Sequence, residues 1–296
     1  MKPVAFDYFD PRTVDETMAL LTEHGEDGKL LAGGQSLVPL MNFRLARPSA
    51  LIDLNGVEEL AYIREGEGEG GGCLEIGAMT RDRDLEESAL IREKCGLLAL
   101  ASSWIGHAQI RNRSTIGGGA AHNDPAGEIP SALLALDAGI LIRNAAGEVR
   151  EEAAADFFVT YLTTTLAPTD LLMGFRIPVH PPGSGFAVHE LSRRNGDFAI
   201  AGSMALVTVE DGVCKRASVA LMGVGPTAVR AVRASESLEG AEPTAARIDE
   251  AGRIAGEEAD PDEDIHATVA FRRDLAARLT RACLAEAFQN AGGRPE

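Results

Sequence analysis

Two short segments concentrate the residue types that hold an anionic ligand. They are LAGGQSL at residues 31–37 and STIGGG at residues 114–119, the latter running on into AAHNDPAGEIP. Glycine accepts positive φ and lets a ligand come within hydrogen-bonding distance of the main chain. Successive free N–H groups then form a concave partial positive charge, which binds a pyrophosphate without a lysine. Gln35, Ser36 and Thr115 add side-chain donors. No GxxxxGK[ST] follows either segment, and no GxGxxG stands between a strand and a helix. The competing reading is a pair of tight turns without a ligand, and spacing alone leaves both open.

His122, Asn123 and Asp124, directly behind the second segment, invite metal or acid–base chemistry. The six histidines include no HxH or HxxxH pair, which argues against a metal site. A His122–Asp124 dyad lacks a nucleophile, because no GxSxG is present and Ser114 has no special setting. Two readings remain: a helix entry capped by Asp124 near Pro125, or polar contacts to whatever the glycines hold.

The elements that must position these segments are legible from periodicity and turn chemistry. A helix is predicted over residues 14–23, with Thr13 as N-cap, Val14, Met18 and Leu21 on its apolar face, and Gly25 ending it. KLLAGG reads as a short strand stopped by glycines, residues 35–45 as a short helix or turn with Leu37, Leu40 and Met41 inward, and residues 50–54 as a buried strand. A hairpin of AYIRE and CLEIGAM follows, joined by GEGEGGG, which reads as a flexible solvated loop. Helices are predicted over residues 85–91, 96–104 and 129–136, and strands at GILIRN and LLMGFRIPV. IPVHPPGSG is the clearest punctuation and marks a domain boundary. Antiparallel strands come next, and the chain ends in helices, the last over residues 268–287. The resulting division is 1–55, 56–177 and 178–296.

Composition limits the possible functions. The 296 residues suffice for two or three substructures and a sizeable core, and no apolar run approaches the ~18 residues of a membrane span. The first residues lack the apolar stretch of a secretory signal. A net charge of −17 opposes nucleic acid and anionic bilayers. The four scattered cysteines, with no CxxC, fit a reducing cytoplasm and not a zinc site, an iron–sulfur cluster or a disulfide framework.

Taken together, AGGQSLVPLMNFRLARPSALIDLN, IRNRSTIGGGAAHNDPAGEIPSALLAL, RRNGDFAIAG and the tail EDIHATVAFRRDLAARLTRACL closely resemble the FAD-binding (medium) subunit of molybdenum hydroxylases. This is the family of carbon monoxide dehydrogenase flavoproteins and the xanthine dehydrogenase flavin domain, and the resemblance covers essentially the whole chain. It implies an α+β protein: an FAD-binding fold of vanillyl-alcohol-oxidase (PCMH) type with two α/β subdomains, plus a C-terminal domain of antiparallel sheet and helices. It implies FAD contacts from Leu30, Leu31, Ala32, Gly33, Gly34, Gln35, Ser36 and Leu37, and from Thr115, Ile116, Gly117, Gly118 and Gly119, both segments wrapping the pyrophosphate. Glu128 matches an acidic FAD contact, Leu172 a position beside the flavin, His189 a basic or polar group near the ring, and Phe198 a side chain lying against the isoalloxazine. Lys29 and Asp124 are secondary contacts. Without the resemblance, Phe198 reads as an ordinary strand core residue.

The implied function is electron transfer. Substrate would be oxidised at a molybdopterin site in a separate large chain. Electrons would pass through [2Fe-2S] clusters of a small chain to this FAD and leave to quinone, NAD or oxygen. A dimer of heterotrimers in the cytoplasm is implied, and no side chain of this subunit is catalytic. Gln35 stands where carbon monoxide enzymes more often carry histidine, which points toward N-heteroaromatic, purine or aldehyde substrates. The rival readings are a self-sufficient flavin oxidoreductase and an assembly protein that has lost FAD. Gly33→Val or Gly117→Val is expected to abolish FAD retention by filling the pyrophosphate path.

Overall fold

The computed structural model describes residues 1–68 and 71–292; Glu69 and Gly70, inside the GEGEGGG run, and residues 293–296 lie outside the described residues. The chain opens with β1 (Asp7–Phe9), α1 (Val14–His24), β2 (Gly28–Leu31), α2 (Leu37–Asn42) and β3 (Ala50–Asp53). Their strands form a parallel sheet in the order β1-β3-β2. Thr13 caps α1, its Oγ1 accepting from the Glu16 amide at 3.1 Å, and Gly25 ends it at φ 51°. Val14, Thr17, Met18 and Leu21, spaced by three and four, bury one face of α1. They pack with Ile52, Leu54, Leu60, Met79 and Leu171. In α2 only Met41 is buried; Leu37 and Leu40 are half-buried, and Val38, Phe43 and Leu45 face outward.

The next stretch holds β4 (Ile63–Gly68), β5 (Gly71–Gly77), α3 (Asp82–Glu87), α4 (Ala89–Lys94), α5 (Gly96–Trp104), α6 (Ala108–Arg111), α7 (Ile116–His122) and α8 (Glu128–Ala135). It continues through β6 (Gly139–Arg143), β7 (Val149–Ala153), α9 (Ala154–Phe157), β8 (Phe158–Thr160), β9 (Thr163–Thr164) and β10 (Leu171–Pro178). The antiparallel sheet runs β4-β5-β10-β6-β7, so the last strand of the series is inserted at its centre. Three expectations change here. The glycines of GEGEGGG that are described, Gly66, Gly68, Gly71 and Gly72, are ladder residues of the β4–β5 hairpin and not loop. The helix expected over residues 85–91 is two helices, broken at Ser88, whose extended backbone (ψ 121°) ends α3 and whose Oγ caps α4 at the Ile91 amide. The glycines at 117–119 lie in the first turn of a helix, α7.

The remaining strands, β11 (Ser184–Ser192), β12 (Ala199–Glu210), β13 (Val213–Met222) and β14 (Val229–Arg230), form an antiparallel sheet in chain order. They are followed by α10 (Val232–Glu236), α11 (Ala245–Glu258) and α12 (Val269–Asn290). Strand alternation divides the β11 side chains between two cores. Phe186 and Val188 join the core built on α5 and α8, whereas Ala187 faces α12 with Leu275, Cys283, Leu284 and Phe288. All eight residues of α8 are buried, because it is sandwiched between this sheet and the preceding one. Its carbonyls and flanks are tied across: Ser218 Oγ donates to Ala135 O at 2.6 Å and the Gly223 amide to Pro125 O at 2.8 Å. Among the described residues no helix is long and apolar enough to cross a membrane.

Candidate functional site

The fold brings the two glycine segments into contact. A Cβ on Gly33 would collide with the Arg113 carbonyl and lie 2.5 Å from Ser114 Cα, and one on Gly118 would touch Ala32 Cβ at 3.4 Å. Asn55 Nδ2 donates to Ala32 O at 2.9 Å, and Arg81 bridges the segments, donating to Asn55 Oδ1 at 2.5 Å and to Arg113 O.

The first segment keeps its amides free. Gly34 turns the chain at φ 73°, a conformation glycine adopts without strain, and Gln35 Nε2 braces the turn on Gly33 O at 3.2 Å. Among the described residues, no acceptor takes a hydrogen bond from the amides of Gly33, Gly34, Gln35, Ser36 or Leu37. The last of these open α2, where helix geometry leaves donors unpaired. Arg81 is held against the Arg113 carbonyl, which abuts Gly33, and neither guanidinium has a carboxylate within ion-pair distance among the described residues. Burial, and then the charge of Arg113, pull the Arg81 pKa down. The charges of Asp84, Asp53 and Asp82 oppose that shift. Successive free amides beside the Arg81 guanidinium are what a pyrophosphate fits.

The second segment has spent its amides. Ile116 N donates to Thr80 O at 3.1 Å, Gly117 N to Ala78 O at 2.9 Å, Gly118 N to Thr115 Oγ1 at 3.1 Å and Gly119 N to Thr115 O at 2.9 Å. Its glycines serve close packing. A Cβ on Gly117 would lie 2.5 Å from Ala78 O, and one on Gly119 3.2 Å from Ile129. The expectation that valine at 33 or 117 fills a pyrophosphate path therefore changes: both side chains would first meet protein backbone. Thr115, 1% exposed, is the N-cap of α7.

His122 and Asp124 form no dyad. Between them Asn123 sits in the left-handed region at φ 48° and works as a bolt. Its Nδ2 donates to Thr160 O and Thr163 O at 2.8 Å, and its Oδ1 accepts from Thr227 Oγ1 at 2.9 Å. Asp124 Oδ1 accepts from Ala126 N at 2.9 Å, which makes it the start of a turn; the cap position of α8 belongs to Gly127. Among the described residues, no group of His, Cys, Asp and Glu is arranged to hold a metal ion.

Behind this turn lie carboxyl groups with few partners. Glu128 is 7% exposed, and burial, reinforced by Glu190, Asp82 and Asp124, pushes its pKa up to about 8. Burial also raises Glu190 to about 7, and its Oε2 has no partner among the described residues. Asp82, raised to about 6 by burial, accepts from Ser114 Oγ at 2.5 Å through one oxygen and leaves the other unpartnered. Such orphaned acceptors suit the hydroxyl groups of a nucleotide cofactor.

The other expected positions are distributed unevenly. Lys29 is exposed on β2 beside half-buried Leu30 and Leu31, and Leu172 is a buried core residue of β10. Phe198 is not a strand core residue: it is 62% exposed on the turn before β12. It lines a cleft of ≈ 700 Å³ with Tyr161, Arg193, Asp124 and Arg272. That turn lies over the preceding unit, with Gly196 against the His107 ring. His189 stands apart from the group. It projects from β11 toward α12, where its Nε2 meets Glu286 Oε2 at 2.7 Å. Its neighbour Glu190, of opposite strand parity, faces Glu128 instead. Sequence reasoning missed Arg81, Arg113, Asn55, Asp82 and Glu190. Only the RNRS run before Thr115 hinted at a basic group there.

An α+β chain that holds a cradle of free amides beside the Arg81 guanidinium is built to bind a dinucleotide-type anion through its main chain. Comparison with known proteins supplies the family. The model of the FAD binding domain in molybdopterin dehydrogenase matches residues 4–180, and that of the CO dehydrogenase flavoprotein C-terminal domain matches residues 186–287. The chain is 39% identical over 292 residues to the 6-hydroxypseudooxynicotine dehydrogenase complex subunit alpha of Paenarthrobacter nicotinovorans, covering 98% of this chain and 97% of that one. It superposes with a TM-score of 0.94 and 36% identity on carbon monoxide dehydrogenase from Hydrogenophaga pseudoflava, in a form lacking the Mo-pyranopterin moiety, over 98% of this chain and 99% of that chain. Quinoline 2-oxidoreductase from Pseudomonas putida 86 gives a TM-score of 0.92 at 33% identity, over 98% of this chain and 99% of that chain. The chain belongs to the FAD-binding subunit family of molybdenum hydroxylases, with a PCMH-type FAD-binding fold, and is an oxidoreductase subunit.

Proposed function

We propose that this chain is the electron-transfer flavoprotein of a molybdenum hydroxylase complex. It works beside a small [2Fe-2S] chain and a large molybdopterin chain, in a dimer of heterotrimers in the cytoplasm. The observation that carries the reading is the run of free amides at residues 33–37 beside Arg81. When bound, FAD supplies a two-electron store, filled from the [2Fe-2S] clusters and emptied to an external acceptor. The protein's part is to hold and orient it. The amides and the Arg81 guanidinium take the pyrophosphate, Thr115 and the α7 turn support the cradle from behind, and Asp82, Glu128 and Glu190 offer acceptors to hydroxyl or N–H groups. Phe198 and Tyr161 line the cleft and limit water on that side. The division at 55 and 177 keeps the β1–β3, β4–β10 and β11–β14 sheets in separate units, apart from Pro178 at the end of β10, and the small β8–β9 sheet falls in the second unit.

Gln35 in the cradle and relatives named for quinoline and 6-hydroxypseudooxynicotine, both nitrogen heteroaromatics, favour a substrate of that class for the complex. The test is an absorption spectrum and metal analysis of the native complex recovered through this chain. Flavin bands with iron, molybdenum and two further chains are expected. Flavin in a lone polypeptide that turns over a substrate would instead make it a self-sufficient flavin oxidoreductase.

A further inference from the structure

The cradle lies at the carboxyl ends of the parallel strands β2 and β3, where Leu31 pairs with Asp53. Ligands of open parallel sheets bind outside that edge. From it, three side chains run in series toward the cradle. Tyr8, on β1, donates its hydroxyl to Asp53 Oδ2 at 2.6 Å. Asp53 Oδ1 accepts from the Asn55 backbone amide at 2.9 Å and from Asn55 Nδ2 at 2.5 Å. Asn55 Nδ2 also donates to Ala32 O at 2.9 Å, and Asn55 Oδ1 accepts from Arg81 at 2.5 Å.

Chemistry fixes the direction of this series. A carboxylate and a backbone carbonyl only accept, so both Nδ2 hydrogens are committed and Oδ1 is the atom left to face a cation. Burial pushes the Asp53 pKa up, but the hydrogen bonds from Tyr8 and Asn55, and then the Arg113 charge, hold it below its ordinary value, so Asp53 stays an acceptor. An aspartate at 55 would have no hydrogen to give Ala32 O. The Arg81 guanidinium, in turn, donates only to uncharged acceptors among the described residues, Asn55 Oδ1 and Arg113 O. Asn55 thus stands between the Asp53 carboxylate and Arg81, and it passes on orientation without an ion pair. A guanidinium already paired with a carboxylate has spent the donors and the charge that a phosphate takes. Ala32 is gripped as well: Asn55 holds its carbonyl, and the next residue, Gly33, abuts the Arg113 backbone. The run of free amides therefore starts from a fixed point.

We infer that Asn55, aimed by Asp53, is the positioning residue of the cradle: it holds Ala32 and the Arg81 guanidinium in register for the pyrophosphate of FAD and keeps a carboxylate out of contact with Arg81. The inference rests on the reading of residues 33–37 as the pyrophosphate site.

The test titrates the full chain, freed of flavin, with FAD by fluorescence at low and high salt. Wild type is expected to bind less tightly at high salt, because attraction between a partly exposed cation and a phosphate is screened. Two variants are compared with it. Asp53→Asn still offers Asn55 an amide oxygen, so its affinity should stay within about threefold of wild type and keep the salt dependence. Asp53→Asn combined with Asn55→Asp preserves net charge and side-chain size relative to wild type, but it sets a carboxylate on Arg81 and takes the donor from Ala32 O. Its affinity should fall at least about tenfold and lose most of the salt dependence. Asn55 is exposed and Asp53 half-buried, so both flavin-free variants should melt near the wild-type midpoint. A double variant that binds within about threefold of wild type overturns the inference. So does one that binds weakly with the wild-type salt dependence, which would make Asn55 a backbone brace only, or one that no longer folds without flavin. Each of these leaves the pyrophosphate reading standing, whereas a wild-type chain that binds no FAD overturns both.

Discussion

The two glycine segments look alike in sequence and do different work in the fold. Residues 31–37 bend at Gly34 and leave five successive amides without an acceptor among the described residues. Residues 115–119 wind into α7, and the amides of residues 116–119 are taken by Thr80, Ala78 and Thr115. One run uses glycine to expose backbone; the other uses it to bring backbone against backbone. A glycine cluster is therefore evidence of close approach, and its ligand role depends on whether the amides have other partners.

The sharpest way to break the comparison is Gly117→Val. Its Cβ would lie 2.5 Å from Ala78 O and 2.6 Å from Ala78 Cβ, so the chain is expected to lose more than about 4 kcal/mol of stability and to express insolubly or melt early. A variant that is fully folded but colourless would mean that the second segment touches the cofactor through its backbone after all.

Glu128→Gln tests the acids behind α7. Burial raises the Glu128 pKa to about 8 from an ordinary 4.5, so the folded chain holds this proton where the unfolded chain has released it. Its stabilising contribution is complete below pH 4.5 and is lost as pH rises through 8. In urea melts of the FAD-free protein, the glutamine variant should flatten that decline and gain roughly 2–4 kcal/mol over wild type at pH 9. Parallel pH profiles for the two proteins would show that the carboxyl titrates normally.

Gly34→Ala probes the cradle. With φ at 73° and neighbours no nearer than 3.2 Å, alanine should cost only about 1 kcal/mol in thermal melts. Misaimed amides should weaken FAD about tenfold in a fluorescence titration. Undiminished affinity would remove the distinction drawn between the segments. The smallest effect on stability is expected for Phe198→Ala, within about 0.5 kcal/mol because the ring is exposed. The flavin absorption bands should nonetheless shift, and an unchanged spectrum would take Phe198 out of the site.

Local chemistry made much of the fold readable. Thr13 and Gly25 bracket α1 through contacts within a few residues, and Val14, Met18 and Leu21 mark its buried face by spacing alone. The α12 pattern of Leu275, Leu284 and Phe288 was visible for the same reason. The break at Ser88 was not, because the apolar residues run through it and only the cap reveals it.

The sequence by itself determined the elements, the order in which the motifs follow one another, and the family to which those motifs point. Each of these is written in side-chain identity and short spacing. Tertiary structure alone decided which glycine segment has free amides, because the acceptors that silence the second one, Ala78 and Thr80, come from more than 30 residues away. It also decided that Arg81 reaches the cradle, through Asn55 and the Arg113 carbonyl. And it set which of His189 and Glu190 faces the site, since strand parity gives the two opposite sides and only packing on α8 and α12 says which side is which.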